Sequence, residues 1–382
     1  MLWPCVIAFF VSFLVCGLLR RMARRHARRY PKDMPQRQHK GDIPRIGGVA
    51  MAAGMGAAIC AGLWSAYHDD LARLQLGWWV IIWGVCMVPA VLGGLLDDLT
   101  QKLTVRWRFL LTFASAALAV FWLGIQVPRI GIPWIDQLPW LWPWLGIAIA
   151  LFAIAGLPHA FNIIDGYNGL ACMVAIIVAL ALTHVSIQVN DRSMAVIFLI
   201  TAAASGGFLL WNYPLGRIFA GDCGAYLWGS VLAIGSVLLV QRHPSVSPWF
   251  PILLLIYPVW ETLFSMYRKW ARGGSPGVAD ALHIHQLIYR RIVQRVFDDD
   301  EARDMLKRNN RTSPYLWGYT LLTVLPAVLF WHTTWVLILF CLGFSMLYTF
   351  AYLSIIRFKV PVFLRWNPLQ GDEEHPSNRN EQ

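Results

Sequence analysis

Long apolar runs separated by short polar stretches occupy almost the whole chain. An α-helix needs about 17–25 predominantly apolar residues to cross a bilayer. Eleven runs fall near that length: 2–19, 46–66, 76–96, 109–127, 138–157, 169–189, 193–213, 223–240, 248–267, 314–330 and 334–356. The pattern therefore predicts an all-α polytopic membrane protein of about eleven transmembrane helices. They form one membrane domain over 1–357, with a large loop at 268–313 and a polar tail at 358–382. Within that loop, Ile284, Leu287, Ile288, Ile292 and Val296 fall on one helical face, with Arg290, Arg291 and Arg295 on the other. That spacing predicts a basic amphipathic helix lying on an anionic leaflet. The acidic stretch Asp298–Glu301 reads as the start of a helix, where acids suit the dipole.

Composition agrees with the pattern. Of 382 residues, 57% are hydrophobic and 14% charged, and mean hydropathy is +0.52; a soluble domain carries roughly a quarter charged residues. The net charge of +11 does not point to nucleic acid, because the basic residues sit between the apolar runs. The first run has no basic residue before it and Arg20, Arg21, Arg24, Arg25, Arg28 and Arg29 after it. A cleaved signal peptide has the opposite polarity, so this run is expected to be a retained span with its N-terminus periplasmic. Eleven spans then place the C-terminus in the cytoplasm. Of the 32 Lys and Arg, all but Arg73, Arg129, Arg192 and Arg242 then fall on the cytoplasmic side, as the positive-inside rule requires. Trp78, Trp79, Trp134, Trp140, Trp331 and Trp335 fall at the opposite edge, as interfacial belt residues do. The seven cysteines form no C-x-x-C pair, which argues against zinc and disulfides. Cys223 reads as a small packing residue. Gly54 and Ala58 can bring helices close, within one chain or between the two copies of a homodimer.

Carboxylates at a membrane boundary are costly and so mark functional candidates. Three loops on the predicted cytoplasmic face carry them: Gly93-Gly94-Leu95-Leu96-Asp97-Asp98, Asn162-Ile163-Ile164-Asp165-Gly166-Tyr167-Asn168-Gly169-Leu170, and Phe219-Ala220-Gly221-Asp222-Cys223-Gly224. A few oxygen ligands with room for substrate phosphates suit Mg2+, with Mn2+ as its substitute. Glycines beside the acids let backbone approach a diphosphate. Lys40, within His39-Lys40-Gly41-Asp42-Ile43-Pro44-Arg45-Ile46-Gly47-Gly48, and His283-Ile284-His285-Gln286 add cationic groups on the same face, suited to the charge of phosphoryl transfer. Each feature also has a structural reading: Asp97 and Asp98 as a helix end, Asp165 as a turn cap, Asp222 as a helix cap. Glu261, the single acid inside a run, is expected to snorkel or to pair with Arg268.

At these residues the chain resembles the polyprenyl-phosphate N-acetylhexosamine-1-phosphate transferases, over about residues 38–290. An early K-x-x-[TI]-P-x-x-G-G element matches Lys40, Pro44, Gly47 and Gly48; a DD pair matches Asp97 and Asp98. An N-x-x-D-G-x-[DN]-G-L element matches Asn162, Asp165, Gly166, Asn168, Gly169 and Leu170. F-x-G-D matches Phe219, Gly221 and Asp222, and H-I-H-H is met by His283, Ile284 and His285. The chain departs from the family at Gln286, where a second consecutive histidine is usual. Asn168 replaces the aspartate of most bacterial members, and His159 stands where an asparagine is common.

The resemblance implies sugar-1-phosphate transfer from a UDP-N-acetylhexosamine to undecaprenyl phosphate, with release of UMP, at the cytoplasmic face of a bacterial inner membrane. It implies ten or eleven helices, in agreement with the hydropathy count. By it, Asp97, Asp98 and Asp165 are candidate catalytic residues, and Asp222 with Asn162 would hold Mg2+. Phe219 would stack on uracil, Lys40, His283 and His285 would contact phosphates, and Asn168 completes the candidate substrate site. The His-Ile-His loop is similar to the branch using GlcNAc or a modified relative for O-antigen or other surface polysaccharides. The alternative within the family is the peptidoglycan-type phospho-N-acetylmuramoyl-pentapeptide transferase. A lipid flippase or transporter is the rival from another class, and ionisable residues near the bilayer midplane would mark it; here they cluster at one interface. A scaffold with degenerate motifs is a third reading, motivated by Gln286 and His159.

Overall fold

A computed structural model of the chain describes residues 2–23, 43–68, 76–137, 142–273, 283–289 and 301–356. Fourteen helices, and no strand, occur among the described residues. In chain order these are α1 (Leu2–Met22), α2 (Gly47–His68), α3 (Trp78–Thr100), α4 (Val105–Leu123), α5 (Pro133–Asp136), α6 (Trp142–Ile164) and α7 (Leu170–Gln188). They continue as α8 (Arg192–Asn212), α9 (Gly221–Arg242), α10 (Trp249–Leu254), α11 (Ile256–Ala271), α12 (Ile284–Ile288), α13 (Glu301–Leu329) and α14 (Thr334–Ile356).

Nine of them, α1 to α4, α6 to α9 and α14, are long and apolar enough to cross a membrane among the described residues. The two remaining runs of the expected eleven take other forms. Residues 248–267 are split into α10 and α11 at Leu255. Pro258 supplies the reason: it has no N–H to give the carbonyl of Leu254, and its ring crowds that carbonyl, so the helix breaks one turn earlier. Residues 314–330 are the apolar second half of α13, whose first half is polar.

The central element is α9. Every residue from Cys223 to Val240 is buried, and the helix packs against α2, α3 and α6. Such approach demands small residues. Gly229 faces the backbone of Pro158 on α6, and Gly224 lies against Gly48 on α2. On the periphery, α1 buries Pro4, Ala8, Ser12 and Cys16, one stripe at intervals of four, while Val6, Phe10, Leu14 and Leu18 point outward. The stripe seats α2: a Cβ at Gly54 would lie 2.6 Å from the Ala8 carbonyl oxygen. Gly54 and the buried Ala58 therefore serve packing within this chain. The outward faces of α1, α4, α6 and α14 carry Phe10, Phe121, Phe152 and Met346, each more than half exposed, as lipid-facing surfaces do.

Of the amphipathic helix expected over 284–297, the structure describes only the first turn, α12. Ile284, His285, Gln286, Leu287 and Ile288 are all buried there, with α13 and α14 packed against it. This turn belongs to the protein interior, not to a leaflet surface. The remainder, with Asp298, lies outside the described residues; α13 begins at Glu301.

Candidate functional site

The N-terminus of α9 is where the motifs meet. Gly221 adopts φ +71°, a left-handed conformation that glycine takes at no steric cost, and turns the chain into α9. A helix N-terminus leaves amides without intrahelical partners, and α9 has no side-chain cap of its own. Asp98 of α3 provides it from outside. Its two carboxylate oxygens accept the backbone N–H groups of Asp222 and Cys223, both at 2.9 Å. Gly94, one turn earlier on α3, makes the approach possible, since a Cβ there would lie 2.6 Å from Asp222 backbone atoms. Residues 44–48 close the other side. Phe219 N–H donates to Pro44 O (2.9 Å), Gly47 N–H to Phe219 O (2.8 Å) and Gly48 N–H to Ala220 O (2.9 Å). Lys40 and Asp42 lie outside the described residues.

Asp97 points the other way from Asp98. Its Oδ1 accepts Leu103 N–H at 3.2 Å, which shapes the turn into α4. Its Oδ2 lies 3.4 Å from Arg108 Nη1, and the same nitrogen donates to Asp222 Oδ2 at 3.1 Å. Asp222 also lies close to Asn162, at the end of α6, and to Asp97, near enough for both to interact with its carboxylate. One guanidinium thus bridges two of the candidate acids, and sequence reasoning did not single it out. Arg108 was counted only as an inward topology charge. The available signal was its place in the first turn of a spanning helix, where a cation opposes the dipole and needs a specific partner. A further chain lies behind it: Tyr226 is close enough to Arg108 to interact, Tyr226 Oη lies 3.4 Å from His159 Nδ1, and His159 Nε2 lies 3.0 Å from Thr112 Oγ1.

The 165–170 loop follows α6 directly. Asp165 sits close enough to Asp222 for the charges to interact; burial, then Asp222, lift its pKa to about 7, partly offset by Arg45. Asn168 is fully buried, with its Nδ2 donating to Asn310 Oδ1 (2.9 Å), its N–H to Asn309 Oδ1 (2.8 Å), and its carbonyl accepting from Ser313 Oγ (2.6 Å). Asn212 receives the next amide, Gly169 N–H, at 2.6 Å. These bonds tie the loop to the polar start of α13. The Asn-Asn-Arg-Thr-Ser run at 309–313 was the signal for this anchor, and its role was not read from sequence.

The histidine segment sits beside the same loop. A Cβ at Gly166 would lie 3.0 Å from His285 Nε2, and the rings of His283 and His285 stack at 5.3 Å and 9°. His285 is 2% exposed; burial and His283 push its pKa down to about 3, so it is a neutral imidazole. Its Nδ1 has no hydrogen-bond partner among the described residues. His283 is held by Glu261, contrary to the snorkelling expected of that acid. Glu261 is fully buried. Its Oε1 accepts His283 Nδ1 at 3.0 Å and Ile284 N–H at 3.2 Å, and its Oε2 accepts Tyr348 Oη at 2.7 Å. A carboxylate with three donors is tolerated where a bare one is not. Arg268 instead lies over the Tyr352 ring, 5.2 Å from its centroid. Gln286 Oε1 accepts His283 N–H at 3.4 Å, which gives this departure from the usual histidine a capping task.

Among the described residues no group of three or more His, Cys, Asp or Glu side chains could by itself cage a metal. Mg2+ does not need one, because it takes one or two carboxylates and completes its shell with water and substrate phosphate. Asp97, Asp222 and the Asn162 amide form such a partial oxygen set.

The family model of glycosyl transferase family 4 matches residues 79–240, a stretch that contains Asp97, Asp98, Asn162, Asp165 and Asp222. The chain is 27% identical over 257 residues to the "Probable undecaprenyl-phosphate N-acetylglucosaminyl 1-phosphate transferase" of Bacillus subtilis, covering 66% of this chain and 68% of that protein. It is 27% identical to the undecaprenyl-phosphate alpha-N-acetylglucosaminyl 1-phosphate transferase of Thermotoga maritima, covering 54% and 60%. It is 29% identical to the phospho-N-acetylmuramoyl-pentapeptide-transferase of Moorella thermoacetica, covering 55% and 64%. The matched stretch thus spans less than two thirds of the last two relatives.

Proposed function

From the match of residues 79–240 to glycosyl transferase family 4, we propose that the chain transfers N-acetylhexosamine-1-phosphate from a UDP-sugar to undecaprenyl phosphate, releasing UMP. The reaction would run at the cytoplasmic face of a bacterial inner membrane and start O-antigen or another surface polysaccharide. One observation carries the reading: Asp97, Asp98 and Asp222 converge around one helix N-terminus, with Asn162 and Arg108, in a bundle whose flanks are apolar. Lipid-linked substrates need such a bundle, and phosphoryl transfer needs such a charge cluster.

In chemical terms, an oxygen of the lipid phosphate attacks the sugar-bearing phosphorus of the donor, and the bond to UMP breaks. A phosphate monoester has a second pKa of about 6, so near pH 7 the nucleophile is already mostly ionised. No residue has to remove a proton first. Asp98 is accordingly a positioning residue: both of its oxygens already hold backbone amides. Asp97, Asp222 and Asn162 would hold Mg2+, which when bound neutralises charge on the diphosphate. Phe219, half-buried at the entrance to α9, would stack on the flat base. His285 and His283 stand by the Asp165–Gly166 turn, where they can meet donor phosphates. The relatives named for N-acetylglucosaminyl 1-phosphate transfer support UDP-GlcNAc or a modified relative as donor.

The test is UMP release by the purified protein with undecaprenyl phosphate, Mg2+ and a panel of UDP-sugars. Turnover with a simple UDP-N-acetylhexosamine is expected. Turnover only with UDP-N-acetylmuramoyl-pentapeptide would overturn the donor assignment. No UMP release with any donor would overturn the reaction.

A further inference from the structure

We propose that Arg108 is an internal counter-cation that occupies, between Asp97 and Asp222, the place a divalent ion must take, and that His159 sets its position through Tyr226. The proposal rests on the reading that these acids bind Mg2+. It adds that ion binding competes with an arginine already in place.

Two carboxylates facing each other within hydrogen-bonding reach repel unless a cation lies between them. Arg108 Nη1 fills that role, 3.4 Å from Asp97 Oδ2 and 3.1 Å from Asp222 Oδ2. A divalent ion drawing on both oxygens would compete with the guanidinium for them and would meet its positive charge at close range.

The guanidinium is held from behind. Its Nε donates to Leu103 O at 3.3 Å, and the Tyr226 hydroxyl lies close enough to interact with it. The direction of the remaining bonds follows from counting protons. Thr112 has one hydroxyl proton and donates it to Phe109 O at 2.9 Å. Toward His159 Nε2, 3.0 Å away, Thr112 Oγ1 must therefore accept, so Nε2 carries the ring proton. Nδ1 of a neutral ring is then a bare acceptor, and Tyr226 Oη donates to it at 3.4 Å. With its proton committed, Tyr226 offers Arg108 only lone pairs, and an arginine has only donors to give. The sequence Arg108, Tyr226, His159, Thr112, Phe109 O is consistent in one direction along its whole length. Phe109 also stacks on the His159 ring at 6.2 Å and 22°. The residue at 159 that departs from the usual asparagine thus acts on the acids through two intermediaries, as a positioning residue.

The experiment measures metal binding and stability, not turnover. Mn2+ is titrated into the purified full chain in detergent, and free Mn2+ is followed by electron paramagnetic resonance. Thermal unfolding is recorded in EDTA and in Mn2+. Arg108→Gln removes the competing charge. It should bind Mn2+ about tenfold tighter or more, unfold earlier in EDTA, and gain more stability from Mn2+ than the wild type. Arg108→Lys keeps the charge and should bind Mn2+ within about threefold of the wild type. Tyr226→Phe and His159→Phe loosen the arginine without removing it and should tighten Mn2+ binding by about two- to fivefold. Unchanged or weaker Mn2+ binding by Arg108→Gln would overturn the proposal. If that variant does not fold, Tyr226→Phe decides the matter in the same sense. No Mn2+ binding by the wild type or any variant would overturn both this inference and the metal reading of the acids. Competition as expected, without UMP release from any donor, would leave Arg108 as described and remove the proposed reaction.

Discussion

Replacing Asp98 by Asn separates a structural anchor from a catalytic base. Asp98 is buried and accepts two amides of the α9 N-terminus, each at 2.9 Å, through different oxygens. Asparagine keeps one oxygen acceptor and turns an NH2 group toward the other amide. One hydrogen bond to a charged group is lost, worth about 1.5–3 kcal/mol. The interaction of the carboxylate with the helix dipole goes too, worth about 0.3–2 kcal/mol, and one amide of the pair is left facing a donor. A loss of about 2–5 kcal/mol follows, concentrated at the segment that carries Asp222. Asp98→Asn should lower Tm in detergent by several degrees and lose nearly all UMP release. Raising the pH should not restore turnover, because the defect is the seating of α9 and not a missing proton acceptor. A general base would leave an acidic limb in the pH–rate profile. A variant with the wild-type Tm whose activity recovers at high pH would refute the anchoring argument and make Asp98 the base.

Asp222→Asn should remove nearly all turnover, with less than about a tenth remaining, in a protein that stays folded and membrane-inserted, as fluorescence-detected gel filtration would show. Asp165 titrates near pH 7 in the folded chain, above its ordinary value. The native state therefore holds a proton that the unfolded chain has released, and stability falls as pH rises from about 4 to about 7. Asp165→Asn should flatten Tm against pH over that window in EDTA; an unchanged slope would refute the assignment. Glu261→Ala leaves His283, Ile284 N–H and Tyr348 without their acceptor and should destabilise by about 3–5 kcal/mol. Glu261→Gln, which can keep all three contacts if the Tyr348 hydroxyl turns to accept, should recover most of that loss in a thermal-unfolding assay. Gly94→Ala drives a methyl into the Asp222 backbone and should lower Tm and turnover together, whereas Gly84→Ala, with nothing within 4 Å, should change neither.

Nine spanning runs and the acidic loop after α6 were legible because each rests on local pattern; of the two other segments expected as loops, Asp97 and Asp98 lie in the last turns of α3 and Asp222 in the first turn of α9. Apolar length marks a helix able to cross a bilayer, and glycine beside acid marks a turn at its end. What the pattern could not supply is direction around a helix axis. Asp97 and Asp98 are adjacent in sequence, yet a helix turns about 100° per residue. One reaches the α9 amides and the other faces Arg108. Asn168 and Glu261 show the same limit. Residue type suggests a substrate-site role for Asn168 and snorkelling or an Arg268 pair for Glu261, but it does not reveal partners 140 and 22 or more positions away, Asn309 and Asn310 for one, His283 and Tyr348 for the other. The break at Leu255 was visible in principle, because Pro251 and Pro258 flank it; hydropathy alone does not weigh a missing N–H.

Arg108 is the most instructive omission, because the same rule that predicts the topology conceals it. Counting basic residues by side treats every arginine as interchangeable and exposed to the leaflet. Arg108, half-buried in the first turn of an apolar helix, is neither. There it opposes the helix dipole, and burial adds a desolvation cost that only nearby carboxylates can offset. A half-buried arginine in that position thus implies acids within reach, and the acids Arg108 contacts are Asp97 and Asp222. The acids in turn repel one another without it. The cluster is a unit of mutually required charges, and for that reason a divalent ion drawn to these oxygens would compete with a cation already there instead of filling an open cage.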